Sequence, residues 1–198
     1  MNTEETNILR NIISDCIKNK RSAQEKLYKI FYGYGMSVCL RYAPEKDEAA
    51  EILNDSFLKV FANLKQYNFE QDFKPWFRKI IINTSIDYYR KSRQMLYNKD
   101  TELHNDINYS SENLHSLNMN DLLLLLSKIP DVYRLTFNLY EIEGYSHDEI
   151  ADLMKITAST SRSNLTRAKK MLRKEYQNIF QENFNTQNAK TLEEYSKT

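Results

Sequence analysis

Apolar residues recur at helical spacing along most of this chain, and the elements they predict are all helices. Ile8, Ile12, Ile13, Cys16 and Ile17 predict a first helix over 6–19 with those residues inward. Leu27, Ile30, Phe31, Tyr34, Val38 and Cys39 predict a second over 22–42, with a kink where Gly33 and Gly35 weaken its middle. Ala49, Ile52, Leu53, Phe57, Val60 and Phe61 predict a third over 46–64 behind Pro44. The pattern is lost over Tyr67–Asp72, which reads as a loop. It resumes over 73–93 with Trp76, Phe77, Ile80, Ile81, Thr84, Ile86 and Tyr88, and Asp72 is placed to cap that helix. Residues 94–119 have weak periodicity and are rich in Asn, Ser and Asp, which predicts an extended, mobile linker. Helices return over 120–128 and 132–141, separated by Ile129-Pro130, and the tail from Gln181 is polar and expected to fray.

The stretch from Glu143 to Arg173 carries the clearest local chemistry. Ser146 followed by Glu149 forms a capping box, and Ile150, Leu153 and Met154 give the short helix behind it an apolar stripe. After a polar turn at Lys155–Thr157 a second helix begins, with Thr157 and Ser159 both available as caps. Leu165, Ala168 and Leu172 line one side of it. Thr160, Ser163, Thr166, Arg167 and Lys170 fall on the other. Hydroxyls and an arginine near the N-terminus of such a helix suit base edges in the DNA major groove, and lysines further along suit phosphates. This is the pattern of a helix-turn-helix.

Composition narrows the class. With three Gly and three Pro in 198 residues, an all-α fold is expected. Cys16 and Cys39 have no ligand-pair spacing and read as reduced packing residues. Met1–Ile8 is polar and acidic, unlike a signal peptide, and the leucine run 122–126 is too short to cross a bilayer. A cytoplasmic protein without direct membrane insertion is expected.

The net charge is +1, but its distribution is blocked. Glu45, Asp47, Glu48, Glu51 and Asp55 stand against Lys46 alone between positions 45 and 57. Lys74, Arg78, Lys79, Arg90, Lys91 and Arg93 stand against Asp87 in the fourth helix. The linker segment 98–121 is acidic again, and Lys155–Glu175 holds seven cations against one acid. Such alternation predicts several surfaces with different partners. Trp76 and Phe77 beside the basic helix suit core packing better than base contact, whereas the aromatic and polar Tyr67–Asp72 loop is the better base pocket. His104 and His115 lie in the linker and His147 follows a helix cap; all three read as solvated. No phosphate loop, nucleophile–base pair or metal-ligand spacing is present in the sequence, so no catalytic residues, metal or cofactor are expected.

Three segments together resemble region 2 of the bacterial extracytoplasmic-function sigma factors: Ala49–Phe61, Phe73-Lys-Pro-Trp-Phe-Arg-Lys-Ile80 and Asn83–Arg90. Ile129-Pro130 and Glu143–Ala151 resemble region 4 of the same family. The resemblance implies two small helical domains, region 2 over 1–95 and region 4 over 120–180, joined by an acidic linker over 96–119 and followed by a polar tail over 181–198. It implies a protein that binds core RNA polymerase, directs it to promoters and assists DNA melting. By position, Glu48, Glu51, Asn54, Asp55 and Lys59 would dock on the polymerase β′ clamp helices. Tyr67, Asn68, Phe69 and Gln71 would capture a flipped base of the minus-10 element. Arg78, Lys79, Asn83, Asp87, Arg90 and Lys91 would grip its upstream part. Thr160, Arg162, Ser163, Thr166, Arg167 and Lys170 would read the minus-35 element.

The same resemblance names promoter DNA and the polymerase β flap as further partners, sends the linker toward the RNA exit channel, and leaves room for a membrane-bound anti-sigma factor. Lys155 and Ser159 stand where many members have Gly, Ser161 where most have an apolar residue, and Asn164 replaces a frequent Arg. The alternative is a dimeric helix-turn-helix regulator. That reading leaves the acidic helix, the aromatic loop and the linker without roles, and no symmetric apolar helix offers a dimer seam; the free chain is expected to be a monomer.

Overall fold

The computed structural model describes residues 3–43, 45–97 and 119–195. Among these residues every regular element is helical, and they form two compact units, one within Met1–His104 and one within Asn105–Thr198. Of the stretch 94–119 expected as an extended linker, residues 94–97 and 119 are helical; the rest, with His104 and His115, lies outside the described residues.

The first unit holds α1 (Thr3–Ile17), α2 (Arg21–Cys39), α3 (Lys46–Asn63), a 3-10 turn (Leu64–Gln66) and α4 (Phe73–Tyr97). Helix α1 stops two residues earlier than its pattern suggests. Asn19 adopts the left-handed conformation that Asn tolerates better than most residues, and its amide donates to the Cys16 carbonyl at 2.8 Å. Two expected core residues are exposed instead: Ile8 and Ile30 each keep 54% of their surface. On α2 the buried row is Ala23, Leu27, Phe31 and Gly35, at intervals of four, and Ile30 falls about 100° to one side of it. Ile8 lies about 140° round α1 from buried Ile13.

Helix α2 runs unbroken through both of its glycines. Gly35 allows close approach: a Cβ there would stand 2.5 Å from Leu53 Cδ1 and 3.1 Å from the Phe77 ring. Around it Phe31, Phe57, Phe73 and Phe77 interlock, with centroids 4.6 Å apart for Phe31–Phe73 and 4.8 Å for Phe57–Phe77. Buried hydroxyls in this core are satisfied along their own helices, Ser56 donating to the Ile52 carbonyl and Ser85 to that of Ile81. Both cysteines are buried and free, and burial pushes the thiols up to about 11 for Cys16 and about 12 for Cys39, so neither is a nucleophile at neutral pH.

The second unit holds α5 (Met119–Ser127), α6 (Asp131–Phe137), α7 (His147–Met154) and α8 (Ala158–Tyr195). The single helix expected over 132–141 is α6 followed by one π turn, Asn138–Ile142. That turn closes with the Glu143 amide on the Asn138 carbonyl and is followed by Gly144 at φ +78°. Leu126, Ile129 and Ala168 form the centre of the core, with Leu122, Tyr133, Phe137, Met171 and Leu172 around them. Arg134 is 2% exposed. Its guanidinium caps the end of α5 by reaching the Leu126 and Ile129 carbonyls at 3.4 Å, and it pairs with Asp131 at 2.6 Å. The backbone of helix α8 is helical to Tyr195, through most of the polar tail. No Gly or Pro lies beyond Gly144 to stop it.

Candidate functional site

On α3 the acidic face is exposed at Glu51 and Asn54 and half-buried at Glu48, Asp55 and Lys59. Four of these residues are already engaged within the unit. The Tyr28 hydroxyl donates to Asn54 Oδ1 at 3.1 Å, and Lys59 Nζ reaches Asp87 Oδ2 of α4 at 3.0 Å. Tyr88 hydrogen-bonds Glu48 and Glu51; burial first, then these two carboxylates, push its hydroxyl up to about 12. So α3 and α4 are tied by polar contacts that the sequence pattern does not display.

Helix α4 presents Lys79, Asn83 and Asp87 at intervals of four, with Arg90 and Lys91 one turn on. Lys79, Asn83, Arg90 and Lys91 are exposed, while Arg78 and Asp87 are half-buried. Asp87 accepts from both Lys59 and Arg90. Burial raises its carboxyl pKa, but these two cations outweigh it and hold the group below the ordinary aspartate value. A carboxylate so occupied suits holding Arg90 in place better than touching DNA.

The loop before α4 is a built turn. Gln71 donates its amide to the Asn68 carbonyl at 3.0 Å, and Asn68 Oδ1 accepts from the Glu70 amide at 2.9 Å. Tyr67, expected among the base-contacting residues, is only 8% exposed. Its ring packs on Phe69, Phe73 and Trp76, and its hydroxyl donates to the Gln71 carbonyl. It is the floor of the loop, because its own ring completes the aromatic core. Asn68 and Gln71 are exposed and Phe69 is half-buried. Trp76 is half-buried against Tyr67 and Phe73, as core packing requires.

In the second unit the capping box is complete: the Glu149 amide donates to Ser146 Oγ at 3.2 Å, and the Ser146 amide to Glu149 Oε2 at 2.8 Å. The Ser146 amide, and its hydroxyl donating to the same Oε2 at 2.8 Å, hold the Glu149 carboxyl below its ordinary value, the amide most. Helix α7 ends at Lys155 in the left-handed region, φ 56°. Of the two candidate caps for α8, Thr157 is the one used, its Oγ1 accepting from the Thr160 amide at 3.0 Å. Thr160, Arg162, Ser163, Thr166, Arg167 and Lys170 are all exposed, whereas Ser161, Asn164, Leu165 and Ala168 are buried. Arg167 also donates to the Tyr133 hydroxyl at 3.3 Å.

His147 is not solvated as its position suggests. Its Nδ1 lies 2.9 Å from the fully buried Ser161 Oγ, and its ring stacks on Tyr140 with centroids 4.5 Å apart. This pair joins the two helices of the motif by a polar contact. The polar type of Ser161 was visible in the sequence; its partner was not.

Comparison with known proteins agrees with this geometry. The family described as Sigma-70 region 2 matches residues 27–94, and that described as Sigma-70, region 4 matches residues 119–172. The ECF RNA polymerase sigma factor SigM of Bacillus subtilis (strain 168) is 23% identical over 159 residues, covering 77% of this chain and 94% of the relative. SigW of the same organism is 23% identical over 185 residues, covering 87% and 98%. The ECF RNA polymerase sigma-E factor of Escherichia coli (strain K12) is 24% identical over 148 residues, covering 69% and 77%. Among solved structures, the fold resembles the sigma factor RpoE from Bartonella quintana, crystallised with the anti-sigma factor NepR. The TM-score is 0.50 at 17% identity, covering 76% of this chain and 94% of that one. Among the described residues no helix is long and apolar enough to cross a membrane. With region 2 in the first helical unit, region 4 around the capped helix-turn-helix of the second, and relatives that align across both, the chain belongs to the extracytoplasmic-function sigma factors of bacterial RNA polymerase.

Proposed function

We propose that this sigma factor divides its work among three surfaces: the acidic face of α3 for core polymerase, the loop and α4 for the minus-10 element, and α8 for the minus-35 element. The observation that carries the reading is the sidedness of α8. All six candidate reading residues are exposed, while the intervening Ser161, Asn164, Leu165 and Ala168 are buried against the rest of the unit. Arg167 suits a bidentate contact to guanine, Thr160, Ser163 and Thr166 suit base edges, and Arg162 and Lys170 suit phosphates.

In the first unit, Glu48, Glu51, Asn54, Asp55 and Lys59 form the docking face for the β′ clamp helices. Asn68, Phe69 and Gln71 receive a flipped base, over a floor made by Tyr67. Arg78, Lys79, Asn83, Arg90 and Lys91 grip the upstream duplex, and Asp87 orders Arg90 and Lys59. Opening the duplex costs a few kcal/mol per extruded base, which capture by the loop offsets. Region 2 spans 1–95 and region 4 spans 120–180, with an acidic linker over 96–119 between them. The chain acts in the cytoplasm. The complex of the Bartonella relative supports an anti-sigma protein as a further partner.

The test compares closed templates with templates pre-melted across the minus-10 region. Arg167→Ala lowers transcript yield on both, costing about 1–3 kcal/mol of duplex reading. Asn68→Ala with Phe69→Ala lowers yield on the closed template and recovers on the pre-melted one. Equal recovery of both variants contradicts the assignment.

A further inference from the structure

Arg10 lies on α1, before the segment matched by region 2, and none of the surfaces above includes it. Its guanidinium reaches 59 residues along the chain to donate to the Phe69 carbonyl at 3.0 Å, and it stands 3.8 Å from the Glu70 carboxylate. We infer that Arg10 is a positioning residue for the base-capture loop, holding Phe69 ready to receive a base; this rests on the capture role proposed for that loop.

The hydrogen bonds of the loop show why one distant side chain matters. The Asn68 carbonyl accepts from the Gln71 amide and the Gln71 carbonyl from the Tyr67 hydroxyl, both within the loop. The Phe69 carbonyl, at the apex, takes its donor from α1. Beneath it, the Tyr67 ring meets Phe69 edge-on at 5.4 Å and Trp76 at 5.1 Å, so the Phe69 ring is placed against a rigid aromatic floor. An apex tied at its carbonyl and seated on that floor loses little freedom when a base arrives. Preorganisation of this kind strengthens capture without any contact from Arg10 to DNA. An arginine suits the task because its fork can serve a carbonyl and a carboxylate together.

The full-length chain, assembled with core polymerase, is titrated with single-stranded DNA carrying its minus-10 sequence. A series of oligonucleotides moves one abasic site through each position. The unaltered holoenzyme should show one position where loss of the base weakens binding roughly tenfold. Arg10→Met should reduce that difference below about threefold, and Arg10→Met with Phe69→Ala should be no worse than Phe69→Ala alone, since both act through one loop. The side chain of Arg10 is 45% exposed, so its removal leaves no cavity. In the free chain, amide exchange should rise at Glu70 and Gln71 while α2 and α3 stay protected.

Full base discrimination by Arg10→Met, additive losses in the double variant, or unchanged exchange at Glu70 and Gln71 would each overturn the role of Arg10 alone. Absence of any base-dependent position in the unaltered holoenzyme, or its persistence in Phe69→Ala, overturns the capture reading itself.

Discussion

Two glycines two residues apart on α2 should respond to alanine with opposite signs. Gly33 is exposed and a Cβ there meets nothing within 4 Å, so Gly33→Ala gains only the helical preference of alanine, about 0.5–1 kcal/mol. Gly35 gains the same preference but must place a methyl 2.5 Å from Leu53 Cδ1, where carbon atoms normally sit about 3.5–4.0 Å apart. Leu53 would have to retreat by about 1 Å. Its retreat is blocked, because Leu53 and the neighbouring Phe77 are both fully buried and the Phe77 ring already lies 3.1 Å from the new methyl. Overpacking of this kind costs about 1–3 kcal/mol, which after that gain leaves Gly35→Ala destabilised by up to about 2.5 kcal/mol. Trp76, the only tryptophan, sits in the same unit and reports its unfolding in urea by fluorescence. Stabilisation by Gly35→Ala, or loss by Gly33→Ala, would refute the close-approach argument.

In the second unit, Ser146→Ala should cost about 1 kcal/mol by removing the cap of α7, read as a lower urea midpoint. His147→Ala and Ser161→Ala should show a coupling of about 1 kcal/mol in a double-mutant cycle, because each leaves the other without its partner. Asp87, held below its ordinary value, contributes stability that is present above its unfolded pKa and lost as pH falls through the folded one. Asp87→Asn should therefore lower stability most at neutral pH, where it removes that contribution, and converge on the unaltered chain in acid, so that its own loss of stability below about pH 4 is shallower. A steeper acid limb in the variant would contradict the Lys59–Asp87–Arg90 arrangement. Glu51→Lys with Asp55→Lys should abolish assembly with core polymerase in a salt-dependent way while the helical content is kept. Normal assembly by the folded double variant would remove α3 as the docking face.

What the sequence made legible was mainly local. The capping box, the sided α8 and the loop before α4 are each written within a few residues, where spacing maps directly onto a helix face or a turn. Burial at the margins was harder to read, because Ile8 and Ile30 carry the right residue type but fall outside rows fixed by neighbouring helices. Contacts between distant segments left no periodic trace. Arg10 with Phe69, Lys59 with Asp87 and Tyr88 with Glu48 and Glu51 depend on how helices cross. The same holds for His147, where residue type suggested a solvated ring and the crossing of α7 and α8 gave it Ser161. The π turn after α6 was equally hidden, since its residues have ordinary helical character and only the chain path toward Gly144 selects the wider turn. The loop offered Tyr67 as a polar aromatic, and only its packing on three rings distinguishes floor from contact.

Promoter specificity should appear only when this chain and core RNA polymerase act together. Transcription from a library of genomic fragments by purified core polymerase, with and without the chain, measures that directly. Discrete start sites should depend on both components and share one minus-10 and one minus-35 element, with weak and largely non-specific duplex binding by the chain alone. Tight sequence-specific binding by the free chain as a dimer, with no start sites that depend on it, would contradict the claim.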